Sequence, residues 1–88
     1  MKTVFLRKFS KDLDKIDSRQ VLNAIAEVIE QVEQSKTLSE IQQLKKLTGY
    51  KNAYRIRIGD YRIGVFVEGD TVEFARAVHR KDIYDVFP

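Results

Sequence analysis

An α+β fold, with two helices packed on one face of a small antiparallel sheet in the order β-α-α-β-β-β, is what three features of this chain predict. The last third holds three runs of alternating apolar residues, Tyr54 to Ile58, Tyr61 to Val67 and Thr71 to Val78, separated by the dipeptides Gly59-Asp60 and Gly69-Asp70. Such two-residue loops join antiparallel strands tightly, because Gly and Asp both tolerate positive φ. Upstream, Val21, Ile25, Val28 and Val32 recur at the spacing of one helix face. A short apolar segment around Val4 and Leu6 precedes them.

From the N-terminus, Val4 and Leu6 with Phe5 and Phe9 predict a strand over residues 2 to 8. Ser10 is the expected N-cap of a short helix in which Phe9, Leu13 and Ile16 stand at helical spacing, since a serine hydroxyl accepts from a first-turn amide. Asp17 and Gln20 resemble a capping box that opens a longer helix running to about Ser35. Leu22 and Ile29 widen its stripe, which reads as core and not as a cofactor box. Leu38, Ile41, Leu44 and Leu47 recur every third residue, as in a helical turn or an extended segment lying against the domain. Thr48-Gly49-Tyr50 then breaks the pattern before the sheet. No repeat, low-complexity tract or linker interrupts the chain, so one domain is expected over residues 1 to 88.

Two-residue loops fix the strand partners. Ile58 faces Tyr61, Arg57 faces Arg62 and Arg55 faces Gly64, while around the second turn Val67 faces Val72, Val65 faces Phe74 and Arg62 faces Ala77. Alternation puts Tyr54, Ile56, Ile58, Ile63, Val65, Val67, Val72, Phe74 and Val78 under the helices, with Tyr61 at the rim. Arg55, Arg57, Arg62, Phe66, Ala75, Ala77 and His79 fall on the opposite face, which is expected to be open except where residues 85 to 88 cover Phe66. Arg76 shares the apolar parity, near the end of the sheet, where it is expected to pair with an acidic helix residue. Arg57 against Arg62 sets like charges directly opposite, which weakens a sheet. Breaches of folding rules gather at functional sites. A solvated strand face with Asp60 and Glu73 as counter-charges is the plainer reading of the same arginines.

Composition excludes several classes of function. The chain has no cysteine and a single histidine, so disulfides, thiolate metal sites and histidine-rich metal sites are ruled out, and no metal or cofactor is expected. The segment Met1 to Arg7 carries charge early and no long apolar run, unlike a signal peptide or membrane anchor, and a soluble cytoplasmic protein is expected. The net charge of +3 is unevenly spread: Ser10 to Glu40 has seven acids against four bases, and Ile41 to Phe66 six bases against Asp60 alone. A basic face of this kind is an electrostatic footprint for polyanions.

No Gly-rich phosphate loop, metal-ligand spacing or Ser-His-Asp arrangement occurs. What occurs is a guanidinium cluster followed, after the last strand, by His79, Arg80, Lys81 and Tyr84. Guanidinium groups hold phosphates in a forked, charge-assisted geometry and stabilise extra negative charge on phosphorus. Imidazole and phenol can move protons. Metal-free transesterification of RNA needs little more, since the 2′-hydroxyl is itself the nucleophile.

The segments Tyr54-Arg55-Ile56-Arg57-Ile58-Gly59-Asp60-Tyr61-Arg62 and Val78-His79-Arg80-Lys81-Asp82-Ile83-Tyr84, with the two helices before them, resemble the RelE branch of the RelE/ParE toxin superfamily over nearly the whole chain. The resemblance implies the toxin of a toxin–antitoxin pair, an endoribonuclease that cleaves mRNA in the ribosomal A site and is wrapped by a cognate antitoxin when silent. It implies neither membrane nor metal. Family roles fall on the strand pair Arg55 and Arg57, on Arg62, on Arg80 with neighbouring His79, and on Tyr84; Arg57, Arg62, His79, Arg80 and Tyr84 are the expected catalytic set, and Arg55 with the bases Lys45, Lys46, Lys51 and Lys81 is expected to bind substrate. Well-known RelE proteins carry lysines where Arg55 and Arg57 stand, and arginine is a poor base. Proton abstraction is therefore expected of His79, with Tyr84 orienting or stacking on a base. A ParE-like inhibitor of DNA gyrase, or a catalytically silent relative acting as a binding module, is the alternative. It would need neither base nor acid.

Overall fold

The computed structural model describes residues 1–88. Five strands and three helices follow one another as β1 (Lys2–Phe5), α1 (Arg7–Asp14), α2 (Arg19–Gln34), a 3-10 turn (Leu38–Glu40), β2 (Leu44–Lys46), β3 (Ala53–Ile58), β4 (Tyr61–Glu68), β5 (Thr71–His79) and α3 (Ile83–Val86). The sheet order is β1-β5-β4-β3-β2, with β1 parallel to β5 and every other pair antiparallel. The expected α+β layout stands, with three additions, a 3-10 turn, β2 and α3, and one correction: the sheet is mixed, because β1 runs parallel to β5. The stretch after α2 supplies both forms its spacing allows, a 3-10 turn and then the short edge strand β2.

Both helix starts differ from expectation. Helix α1 begins straight after β1, with Leu6 as a cap that makes no side-chain bond, and Ser10 lies inside the helix. The chain has little room to choose: the Leu6 amide donates to Phe74 O at 2.9 Å, and Phe9 must turn inward to become fully buried. The cap of α2 is Ser18, one residue past Asp17, and its hydroxyl accepts from the Val21 amide at 3.2 Å.

The main core lies between the helices and one face of the sheet. It joins Phe9, Ile16, Ile25 and Val32 to Ile56, Ile63, Val65, Val72 and Phe74. Each fully buried aliphatic or aromatic side chain of this kind contributes about 1.5–3 kcal/mol relative to exposure. Phe74 stacks on Phe5 and meets Phe9 at a tilt, with ring centroids 5.4 Å apart in each case, fastening β1 and α1 to β5.

In the β3–β4 hairpin all six residue pairs keep the register expected from a two-residue turn, including Arg57 opposite Arg62. The β4–β5 pair does not. Val65 pairs with Phe74 as expected, but Gly64 pairs with Arg76, so Ala75 is an extra residue in a β-bulge. Beyond it the parity of β5 reverses. Arg62 meets Val78 instead of Ala77; Ala77 joins the helix-side core, and Val78 packs against the opposite cluster. Past the residues that β1 covers, the Ala77 amide donates to Asp12 Oδ2 at 2.9 Å. The same carboxylate takes Arg76 in a forked pair, Nε to Oδ2 at 2.7 Å and Nη2 to Oδ1 at 3.1 Å. The partner expected for Arg76 is thus Asp12 of α1, itself only 6% exposed.

The second face is less open than expected. Ala53, Ala75, Leu47, Ile83 and Phe87 form a small buried cluster of their own, with Phe66 and Val78 packed on it. Phe87 lies over Phe66, ring centroids 5.0 Å apart, so the cover anticipated for Phe66 is present. It also lies on Gly64: a Cβ there would stand 2.6 Å from the Phe87 ring. No helix is long and apolar enough to cross a membrane.

Candidate functional site

The site begins with the turn at Gly59-Asp60, where Gly59 sits at φ 55°, a left-handed conformation that glycine adopts without strain. That turn sets Arg57 and Arg62 side by side, and two positions along, on the same face, Arg55 lies across from Gly64. On the far side of β3, Lys45 pairs with Arg55, so the row of bases continues onto β2. Arg62 is partly withdrawn from water. One of its terminal nitrogens, Nη1, donates to the carbonyl oxygens of Gly59 at 2.8 Å and Tyr61 at 2.9 Å, which aims the guanidinium across the turn and leaves Nε and Nη2 available.

Burial, then Arg55, Arg57 and Arg80 in that order, hold the Arg62 guanidinium below its ordinary pKa, with Tyr84 the nearby group acting in the opposite sense. This is a statement about what the site lacks. A cation disfavoured by burial and by three other cations gains from any anion placed among them, and a phosphate relieves all four at once.

Arg80 reaches this group from the segment after β5. Its amide donates to Asp60 O at 2.7 Å, which fastens the end of β5 to the β3–β4 turn. Its side chain stands 3.8 Å from Asp60 Oδ1, with the two side chains 60% and 69% exposed, a long, solvated contact that an incoming anion can displace. Tyr84, in the short helix α3, is 66% exposed. Asp60 therefore does serve as a counter-charge, as the plain reading of the arginines has it, but for Arg80.

His79 is not in this company. The reversed parity pairs it with Tyr61, and the two rings meet edge to face with centroids 5.9 Å apart, on the side of the sheet away from Arg62. Its Nδ1 accepts the Lys81 amide at 3.2 Å, so in the neutral ring the proton belongs on Nε2. Expected on the arginine face, His79 is displaced from it by the bulge. Of the lysines, Lys45 lies on the row with Arg55, Lys46 alternates to the position opposite Tyr54, and Lys51 and Lys81 are exposed in the connections flanking β3 and β5. Sequence reasoning missed Asp60 as the tether of Arg80, for which no local signal exists. Tyr50, which the sequence marks only as part of a pattern break, stands exposed between Lys46 and Lys51 in the β2–β3 connection.

A two-layer α+β domain that gathers unpaired arginines on a sheet face defines a small toxin of the RelE kind. The chain belongs to the family described as ParE toxin of type II toxin-antitoxin system, parDE, whose pattern matches residues 4–84. It is similar to Toxin RelE3 of Methanocaldococcus jannaschii, 45% identical over 89 residues and spanning 100% of both chains. Its fold matches the crystal structure of a RelB-RelE antitoxin-toxin complex from Methanococcus jannaschii with a TM-score of 0.82 and 44% identity, covering 97% of this chain and 99% of that one. The E. coli DinJ-YafQ toxin-antitoxin complex shares the fold alone, at a TM-score of 0.76 and 14% identity over 94% of this chain and 96% of that one.

Proposed function

We propose that this toxin is an endoribonuclease that cleaves mRNA in the ribosomal A site by metal-free attack of a 2′-hydroxyl on the adjoining phosphate, and that a cognate antitoxin silences it. One observation carries the reading: Arg57 and Arg62 stand directly opposite one another beside Arg55, with Arg62 tied to Gly59 O and Arg80 fastened to the same turn through Asp60 O. Arg57 and Arg62 grip the scissile phosphate and the charge that grows on it as the 2′-oxygen attacks. Arg80, released from Asp60, faces the departing 5′-oxygen, and Tyr84 stacks on the base beside it. With His79 turned toward Tyr61, the arginines carry the catalysis through charge stabilisation and alignment. Water takes the 2′-hydroxyl proton as the bond from the 2′-oxygen to phosphorus forms, and water protonates the 5′-oxygen as its bond to phosphorus breaks, leaving a 2′,3′-cyclic phosphate and a 5′-hydroxyl.

The antitoxin supplies carboxylates to the same cluster, so its affinity falls as salt rises. That the archaeal RelB-RelE structure, 44% identical to this chain, holds toxin and antitoxin together supports a cognate antitoxin as the partner.

The test is single-turnover cleavage of programmed ribosomes. Arg62→Ala is expected to slow it by roughly 100- to 1,000-fold, about 2.7–4 kcal/mol, without unfolding the protein. His79→Gln should stay within a few-fold of wild type; a loss of about 100-fold would restore the general-base role to that residue. Because the matching family is named for ParE, the same protein is also assayed with gyrase and supercoiled DNA. Inhibition there without RNA cleavage would replace this proposal with the gyrase reading.

A further inference from the structure

Beside the arginine face, between β2 and the C-terminal segment, runs a groove of about 310 Å³ lined by Lys45, Lys46, Thr48, Tyr50, Tyr84 and Phe87. Three of its properties go together. Its floor is apolar and firm, because Phe87 belongs to a buried cluster that also holds Leu47. Two aromatic rings on it are exposed, Tyr84 at 66% and Tyr50 at 52%. Its charged groups are lysines only, and Lys45 pairs across the sheet with Arg55, so the groove is continuous with the phosphate-binding face.

Exposed rings alternating with cations along a channel suit an unpaired polynucleotide: each base offers a π-face to an aromatic, and each phosphate a charge to a lysine. Tyr50 has no packing task that accounts for it. It stands in the β2–β3 connection next to Gly49, whose φ of 87° bends the chain there, and no buried cluster includes it.

We propose that this groove is a second nucleotide subsite, in which Tyr50 stacks on a base of single-stranded RNA flanking the cleaved linkage while Lys45 and Lys46 hold the intervening phosphates. The proposal rests on the ribonuclease reading for the direction in which the strand runs, but not for the binding itself. A nucleic acid fits better than a protein segment, because the exposed lining is two lysines, two hydroxyl-bearing rings and Thr48, with Pro88 its one exposed aliphatic side chain.

Labelled 2′-O-methyl oligouridylates, which bind but cannot be cleaved, separate the two subsites. A dinucleotide spans the arginine face alone; a hexanucleotide reaches the groove. By fluorescence anisotropy, Tyr50→Ala is expected to weaken the hexanucleotide roughly tenfold and leave the dinucleotide unchanged, while Tyr50→Phe, which keeps the ring, binds as wild type. Lys45→Ala and Lys46→Ala should each lower the salt dependence of hexanucleotide binding by about 0.7 in log–log slope. Equal hexanucleotide affinities for wild type and Tyr50→Ala would overturn the subsite, and so would equal losses for both lengths. Polyglutamate that binds in a Tyr50-dependent way while RNA does not would assign the groove to a protein instead. Absence of cleavage by the wild type would sink the ribonuclease reading and leave these binding differences standing.

Discussion

The two β-hairpins turn on the same dipeptide, Gly-Asp, at nearly the same glycine φ of 55° and 58°, and share β4 as their common strand. They resolve their conflicts in opposite ways. The β3–β4 hairpin keeps perfect register and so retains two arginines face to face, with nothing between them. The β4–β5 hairpin gives up its register at Ala75, and gains a forked carboxylate on Arg76 and a tail residue seated on Gly64. Regular pairing preserves a strained charge cluster, whereas irregular pairing creates anchorage. The strain and the anchor belong together, because Arg80 and Tyr84 reach the cluster only if the end of β5 is held in place.

The anchor is where this contrast is easiest to break. Asp12→Ala leaves a mostly buried guanidinium without its partner and the Ala77 amide without an acceptor, and is expected to cost about 3–5 kcal/mol. Urea denaturation measures this as a lower midpoint at unchanged slope. Amide exchange should rise in the second half of β5 well before it rises in β3. Equal loosening of both hairpins would mean that the bulge is not a separate device.

Gly64→Ala tests the tail. The added methyl meets the Phe87 ring, so the expected cost is about 1–3 kcal/mol, with faster exchange over residues 83–87 and a displaced Tyr84. The β3–β4 hairpin should be sharpened, not broken, by Arg57→Thr. Removing one of two opposed like charges is expected to stabilise the fold by roughly 0.2–1 kcal/mol in low salt. Added salt should shrink the stability gain, since screening weakens exposed like-charge repulsion in the wild type.

The smallest effect lies upstream of β2. Glu40 accepts the Lys36 and Thr37 amides at 2.9 Å each, and these bonds, Lys36 first, hold its carboxyl below the usual carboxylate range. A lowered acid contributes its stabilisation above the unfolded value and loses it as pH falls through the folded one. Below the usual carboxylate range the 3-10 turn should fray, with the Lys36 and Thr37 amide resonances titrating together and β3–β4 undisturbed. Independent movement of the two resonances would argue against a shared carboxylate.

Much of this was legible because periodicity is local. The stripe of α2 and the six pairs of the β3–β4 hairpin follow from spacing within a few residues of each turn, and so do Arg55, Arg57 and Arg62 on one face. The bulge leaves no comparable trace: Ala75 is as good a strand residue as any, and its extra place is decided by Asp12, far away in sequence. That is why Ala77, Val78 and His79 change sides. The parallel pairing of β1 with β5 is silent for the same reason. One signal was in plain view, however. Thr37-Leu38-Ser39-Glu40 has the spacing of a capping box, and it marks the 3-10 turn that triplet leucine spacing leaves ambiguous.

The parallel pairing also orders events in time. A nascent chain can wind its helices and close the β3–β4 hairpin early, but β1 must wait for residues 71–74 before it has a neighbour, and the tail that caps Gly64 arrives last. Pairings this distant in sequence carry a large loop-closure cost and form late. The arginine face is therefore incomplete until Arg80 and Tyr84 have emerged, so a partly made chain presents Arg55, Arg57 and Arg62 without the two residues that complete the cluster. Stalled chains ending at residue 70 should leave the β1 amides unprotected from exchange; protection there would show that the first strand finds another partner during synthesis.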